Sequence, residues 1–317
     1  MTATQHKRAP VSEPARRARP RNRRRSPKPI QVQFRTIVSP HQLNSRWGRR
    51  IYWLVLVAVV VIFTLAFVFP LYWMVTGAMK TPEEIAEMPP TLVPADPSLG
   101  AFFEAWDLFD IGTLLANTAY YALGAWLFSM AVDVTAAYAL SKLRPMFGNM
   151  ILGAMLATLM IPPMVILIPL YVTIVDLGLL NNAWGLWFPA AANGFNIFLL
   201  KRFFDSIPRE LIEAAQIDGA GPLRVLWSVV LPVSRPILGV VSIFTIVTAF
   251  KDFVLPLLVM TDSDKMTISV GLSQTAGAVT QNQVMGGLVI AGIPMIIVFF
   301  IFQRHIMAGL TAGSIKG

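Results

Sequence analysis

The stretch Ile51-YWLVLVAVVVIFTLAFVFPLYWMVTGA-Met79 runs for 29 residues without one charged side chain. About 20 apolar residues in a helix cross a hydrocarbon core of roughly 30 Å. This run is therefore a membrane span with length to spare, and it must tilt, bend at Pro70 or continue past the bilayer. Five further stretches follow on the same criterion: Thr113–Leu140, Phe147–Val175, Asn182–Leu200, Pro236–Met260 and Gly286–Gln303. Phe147–Val175 is another uncharged run, with Pro162, Pro163 and Pro169 as natural bending points; such prolines are tolerated where neighbouring helices satisfy the freed carbonyls. The expected fold class is an all-α integral membrane protein of six transmembrane helices.

Composition agrees. Of the 317 residues, 55% are hydrophobic and 14% charged, whereas soluble domains carry about 25% charged residues. The absence of cysteine excludes disulfides, thiol nucleophiles and thiolate metal sites. His6, His41 and His305 lie far apart in sequence, so neither a metal site nor another cofactor is expected. Residues 1–50 hold 14 of the 26 Lys and Arg and a single acid, Glu13, so the net charge of +9 belongs to this segment. Its Pro and Arg content predicts a disordered basic tail at 1–50, ahead of a six-helix membrane body at 51–317. Aromatic residues are not interleaved with its charges, so nucleic acid is not an expected partner; membrane lipid is. The long apolar run and the lack of a small-residue cleavage site argue against a signal peptide.

Basic residues in loops mark the cytoplasmic side. With the N-terminus inside, segments 1–50, 141–146, 201–235 and 304–317 hold 23 Lys and Arg. The outside segments 80–112, 176–181 and 261–285 hold Lys80 and Lys265 alone. Both termini are thus expected in the cytoplasm. Segment 80–112 carries seven acids and five prolines, which preclude a long helix in its first half and suit an ordered external connection for a soluble partner.

The cytoplasmic segment Lys201-RFFDSIPRELIEAAQIDGAGPLRVLWSVVLPVS-Arg235 lies between the fourth and fifth spans. Ser206 and Pro208 are helix-start signals, and a helix over about 208–217 is too short to span. Leu211, Ala214 and Ala215 share one predicted face, with Glu210, Glu213 and Ile217 on another. Gly219 and Gly221 are able to take the positive φ that ends a helix and reverses the chain. Pro222 suits the start of a second short helix, and Pro232 is expected to stop it.

The spacing Glu213-Ala214-Ala215, Gly219, Val229, Leu231-Pro232 resembles the Glu-Ala-Ala loop of ABC importer permeases, with Val229 where that family usually has Ile. The string through Gln216, Ile217, Asp218, Gly219 and Ala220 is similar to the carbohydrate-uptake, maltose-type (MalG-like) branch. Lys80-Thr81-Pro82-Glu83-Glu84-Ile85 with Pro89-Pro90, Gly178-Leu179-Leu180-Asn181, Ile197-Phe198-Leu199-Leu200, and Gly309 to Gly313 with Lys316-Gly317 resemble other parts of the same branch. The likeness covers about 51–317. It implies that Glu213, Ala214, Ala215, Asp218, Gly219, Leu231 and Pro232 belong to coupling helices seated in a cleft of an ATPase subunit. It also implies a heterodimer with a second permease, two ATPase subunits at the cytoplasmic face, an extracytoplasmic solute-binding protein, a sugar or related solute, and a bacterial inner membrane. The C-terminal tail is implied to reach between the ATPases.

No catalytic cluster and no Gly-x-x-x-x-Gly-Lys-Ser/Thr phosphate loop occur in the sequence, so ATP hydrolysis is expected in a separate subunit. Asp133, Lys251 and Asp252 fall within spans, where ionisable residues mark transport paths by default. A charge pair between Asp133 and Lys251 would favour an ion-coupled secondary transporter; a helix break at Lys251-Asp252 is the competing reading. Asn117, Asn193 and Asn196 are expected to hold helices together.

Overall fold

A computed structural model describes residues 46–314, with side chains from 47 to 303. The chain divides into Met1–Ile62 and Phe63–Gly317. The basic tail expected at 1–50 lies almost wholly outside the described residues. No strand occurs among the described residues.

The first helix, α1, runs over Arg46–Ala78 with Pro70 inside it. Its 33 residues extend about 50 Å at 1.5 Å each, so it outruns the hydrocarbon core as the sequence implies. Leu54, Ile62, Phe63, Leu65 and Phe67 face outward along it. Then follow α2 (Pro82–Ala86), α3 (Gly100–Leu108) and the long α4 (Ile111–Tyr138), which continues as a π turn over Ala139–Leu143.

The proline-rich run after α4 does not make one straight span. Helix α5 (Gly148–Thr158) and α6 (Pro163–Asp176) meet at 101°. Pro163 is a good first residue for α6, but Pro162 and Pro163 offer no N–H to continue α5. The fourth stretch is likewise broken, into α7 (Trp184–Ala190) and α8 (Gly194–Asp205). Asn193 caps α8, its side-chain oxygen accepting the N–H groups of Phe195 and Asn196 at 3.0 and 3.1 Å.

The loop helices are α9 (Arg209–Ile217) and α10, which spans Pro222–Val233 with a π turn at Leu226–Val230. Pro232 does not stop α10: it sits at the start of a final turn, and the break falls at Ser234, where α11 (Arg235–Lys251) departs at 85°. Asp252 is extended, and α12 (Val254–Val259), α13 (Ile268–Thr275) and α14 (Gln281–Ser314) complete the order. Among the described residues three helices are long and apolar enough to span, or up to five spans if each bent pair counts as one.

Helix α4 is the axis against which α7, α8 and α11 pack. Their approach is close because small residues face large ones. A Cβ on Gly124 of α4 would fall 2.1 Å from the Trp187 ring of α7, and the Trp187 indole donates to the Tyr121 carbonyl at 3.1 Å. Backbone approach of this kind is what holds helices together in lipid, where apolar burial alone offers little. A separate core joins Val134, Tyr138, Leu200, Phe204, Ile207, Val225 and Val230, from the ends of α4 and α8 to α10.

Candidate functional site

The loop from Lys201 to Arg235 is fastened to the end of α4 by side chains that the sequence alone does not pair. Ser141 donates to the Asp205 carboxylate at 2.7 Å, and Lys201 closes on its other oxygen at 2.7 Å. Lys142 donates to the Ile207 carbonyl at 3.1 Å, and the Tyr138 hydroxyl to the Pro222 carbonyl at 2.9 Å. Burial alone would raise the Asp205 carboxyl; the hydrogen bonds from Lys201 and Ser141 and the charges of Lys201 and Lys142 outweigh it and hold the group below its ordinary value.

Gly219 has φ +80° and forms the turn between α9 and α10. The N–H of Ala220 bonds to the Ala215 carbonyl at 2.9 Å and that of Gly219 to the Gln216 carbonyl at 3.0 Å. These two bonds are the Schellman pattern, which requires a left-handed residue where Gly219 stands. Ala215 and Ala220 pack on the core beside it. A side chain at Gly219 would meet no neighbour within 4 Å, so the demand for glycine comes from the backbone.

The Leu211–Ala214–Ala215 face of α9 is not the one turned to the core. Ile212 and Ala215 pack against the core, whereas Leu211 and Ala214 are exposed. The register is set by where the Schellman turn seats Ala215, and Leu211 and Ala214 lie one turn apart on the free side. Glu213, Asp218 and Pro232 are exposed and Leu231 is half-buried. Ile217, Leu223 and Trp227 are uncovered as well, at 87, 71 and 70% exposure. Leu223 and Trp227 were not singled out in the sequence; their i, i+4 spacing after Pro222 is the signal that would have found them.

Asp133 and Lys251 form no ion pair; among the described residues the ion pairs are Lys201–Asp205 and Lys265–Asp262. Lys251 is exposed at the end of α11, beside the break. Asp133 is fully buried. It accepts Ser129 Oγ at 2.7 Å, the Asn193 N–H at 2.9 Å and Asn196 Nδ2 at 3.1 Å. Asn196 Nδ2 also reaches Thr245 Oγ1 at 3.2 Å. The carboxylate thus ties α4 to the break between α7 and α8, and through Asn196 to α11. The Asn196 side chain joins helices as expected, whereas that of Asn193 caps α8 and only its backbone N–H reaches α4; Asn117 bonds the carbonyls of Asp264 and Met266 at 2.7 and 3.1 Å. Asp252 is half-buried and borders a cavity of about 460 Å³ between these helices. No group of three or more potential metal ligands occurs among the described residues.

On the opposite side of the chain from this loop in sequence, segment 80–99 is short-helical and then irregular, as its prolines demand. Buried Lys80 donates to the Thr91 carbonyl and lies 4.9 Å from the Trp73 ring. Buried Glu84 accepts Thr91 Oγ1 at 2.8 Å and the Ala95 N–H at 3.1 Å.

Residues 133–311 match the family described as binding-protein-dependent transport system inner membrane component. The sn-glycerol-3-phosphate transport system permease protein UgpE of Yersinia pestis bv. Antiqua (strain Antiqua) is 31% identical over 260 residues, covering 79% of this chain and 92% of its own. The diacetylchitobiose uptake system permease protein NgcG of Streptomyces coelicolor is 29% identical, covering 82% and 87%. Among solved structures, a chain of a bacterial ABC transporter involved in the import of the acidic polysaccharide alginate is similar with a TM-score of 0.73 at 28% identity. That likeness covers 82% of this chain and 98% of the other.

Proposed function

The chain belongs to the binding-protein-dependent transport system inner membrane component family and is a multi-pass membrane permease subunit of an ATP-binding-cassette importer; we propose that it carries a sugar or related solute inward, coupled to ATP hydrolysis through the loop at 201–235. In this reading the body at 51–317 has six spans, the fourth made of α7 and of α8 as far as Leu200, and the basic segment 1–50 is a cytoplasmic tail attracted to lipid. Both termini are cytoplasmic. A second, related permease completes the path as a heterodimer, two ATPase subunits hold the coupling helices, and an external binding protein delivers solute.

One observation carries the reading. Helices α9 and α10 are turned at Gly219 and pinned to α4, yet they leave Ile217, Leu223 and Trp227 uncovered. Large apolar side chains left uncovered on one short loop belong under a partner. A fixed shape fastened to the spans transmits a push; closure of an ATPase dimer would move α9 and α10, and Tyr138, Ser141 and Lys142 would carry that movement into α4. The membrane segments then occupy two states biased by nucleotide at a distant site.

The buried Asp133, bonded by three donors with no cation beside it, gives no support to a gradient-coupled pair with Lys251. Uptake by cells carrying the full importer tests the assignment. It should depend on ATP and be blocked by vanadate enclosed with ATP in sealed right-side-out vesicles. Uptake that resists vanadate and collapses with the ion gradient would contradict it.

A further inference from the structure

A groove of about 440 Å³ lies between α5 and the start of α8. Met150, Ile151, Ala154, Met155 and Thr158 line it from α5, and small Ala192 and Gly194 lie opposite. Thr158 is the polar side chain of the lining, and its hydroxyl already donates to the Met155 carbonyl at 2.7 Å. An occupant therefore meets apolar contact and no free side-chain hydrogen bond. From Met150 to Thr158 the helix rises about 12 Å, close to one leaflet of a hydrocarbon core roughly 30 Å thick. The two methionines give the groove adaptable walls.

The chain enters this groove from a basic corner. Arg144 precedes α5, and no Asp or Glu occurs from Ser141 to Val175. Arg144 has φ +50°, a left-handed conformation that costs a residue with a side chain. Its N–H bonds to the Ala139 carbonyl at 2.9 Å, and its Nε donates to the Ser141 carbonyl at 3.3 Å. Arg144 is exposed and in no ion pair among the described residues. Lys142 lies within electrostatic reach of Arg144 and Arg209. Asp205, the acid that faces Lys142, is engaged by Ser141 and Lys201. Leu143, Met146 and Phe147, beside Arg144 in sequence, are exposed apolar side chains. Cations among exposed apolar groups suit the boundary between headgroups and acyl chains.

We propose that the groove and Arg144 form a site for an anionic phospholipid, with one acyl chain along α5 and the phosphate on the guanidinium. Basic groups at the end of a slot between membrane helices select anionic headgroups, and a planar guanidinium matches a phosphate bidentately. A helix of the second permease is the competing occupant. With side chains a helix is about 10–12 Å across, and α5 and α8 already meet at the slot. A Cβ on Gly194 would fall 2.9 Å from the Met155 carbonyl oxygen. A helix would therefore lie over the slot, whereas an acyl chain enters it. The inference goes beyond the transport reading and requires that α5 begin at a membrane surface.

The full importer is placed in nanodiscs of phosphatidylcholine and phosphatidylglycerol in equal parts. A trace of one or the other lipid carries a diazirine on an acyl chain. After illumination, adducts on residues 148–158 are read by mass spectrometry, relative to adducts elsewhere on this chain. The phosphatidylglycerol probe should mark this segment at least about fivefold more than the phosphatidylcholine probe, as one basic residue at an anionic headgroup dictates. Arg144→Gly removes the guanidinium and suits the left-handed backbone. It should cut that ratio about fivefold while thermal stability holds. Ala154→Phe fills the groove and should lower marking by both probes several-fold. An excess of soluble glycerol 3-phosphate should not compete, because it has no chain to place. Equal marking by the two probes, an unchanged ratio in Arg144→Gly, or competition by glycerol 3-phosphate would overturn the proposal. So would an unmarked segment in the parent importer; loss of the second permease from Ala154→Phe would then assign the groove to that subunit.

Discussion

The Asp133 carboxylate accepts the backbone N–H of Asn193 at 2.9 Å, so a side chain on one continuous helix holds the break in another. The break at 191–193 exposes N–H groups that a helix would have satisfied, and in lipid each needs a partner. Asn193 itself serves the first turn of α8, and Asp133 serves Asn193.

Asp133→Ala should therefore strip partners from Ser129, Asn193 and Asn196 together. A loss of about 3 kcal/mol or more is expected, because the remaining donors stay buried. Thermal unfolding of the detergent-solubilised importer should fall by several degrees. Asp133→Asn keeps an acceptor for Asn193 and should fall less. If Asp133→Asn instead left stability unchanged and abolished transport only, the carboxylate would be acting in the path.

Gly124 and Trp187 make a second prediction. A Cβ on Gly124 would lie 2.1 to 2.4 Å from three atoms of the indole. Gly124→Val should force Trp187 out of place, break its bond to Tyr121 and reduce the amount of assembled importer in the membrane. The matched control is Gly153→Val, where an added Cβ meets nothing within 4 Å; it should express like the parent. Equal yields of the two variants would mean that α4 and α7 do not approach as described.

Orientation is open to labelling. Ser98 and Ser206 are both exposed. Ser98→Cys should react with an impermeant maleimide on intact cells, and Ser206→Cys only after lysis. The reverse pattern would invert the membrane topology.

Asp205 predicts a pH dependence. Its carboxyl is held below the ordinary value of 3.8. A group depressed on folding contributes stability that is complete above its unfolded pKa and is lost as pH falls through the folded value. Parent protein should thus lose thermal stability on acidification below about pH 4 more steeply than Asp205→Asn. Coincident slopes would mean that Lys201 and Ser141 do not favour the ionised form.

Much of this was legible in sequence. The uncharged run at 51–79 dictated a spanning helix, and the Gly219 turn followed from a glycine placed just after a short amphipathic segment. Three features were not. Two of the three partners of Asp133, Asn193 and Asn196, lie 60 and 63 positions away, where spacing says nothing about contact; a carboxylate and a lysine in different spans suggested a pair that does not form. Which face of α9 meets the core was open in the sequence, and the packing of Ile212, Ala215 and Ala220 decides it. Pro232 was read as a stop, yet the first turn of a new helical segment tolerates a residue without an N–H, and the chain bends at Ser234 instead.

The central claim is that α9 and α10 are a rigid coupling surface. Gly219 must adopt φ +80°, which a β-branched residue reaches only with strain. Co-purification of the ATPase with Gly219→Val, read together with ATP hydrolysis stimulated by the loaded binding protein, tests the claim most directly. Insertion and pairing with the second permease should survive, while ATPase recovery and stimulated hydrolysis should both fall at least about tenfold, the equivalent of 1.4 kcal/mol of lost docking. Recovery and hydrolysis equal to the parent would contradict the assignment of this loop to the ATPase.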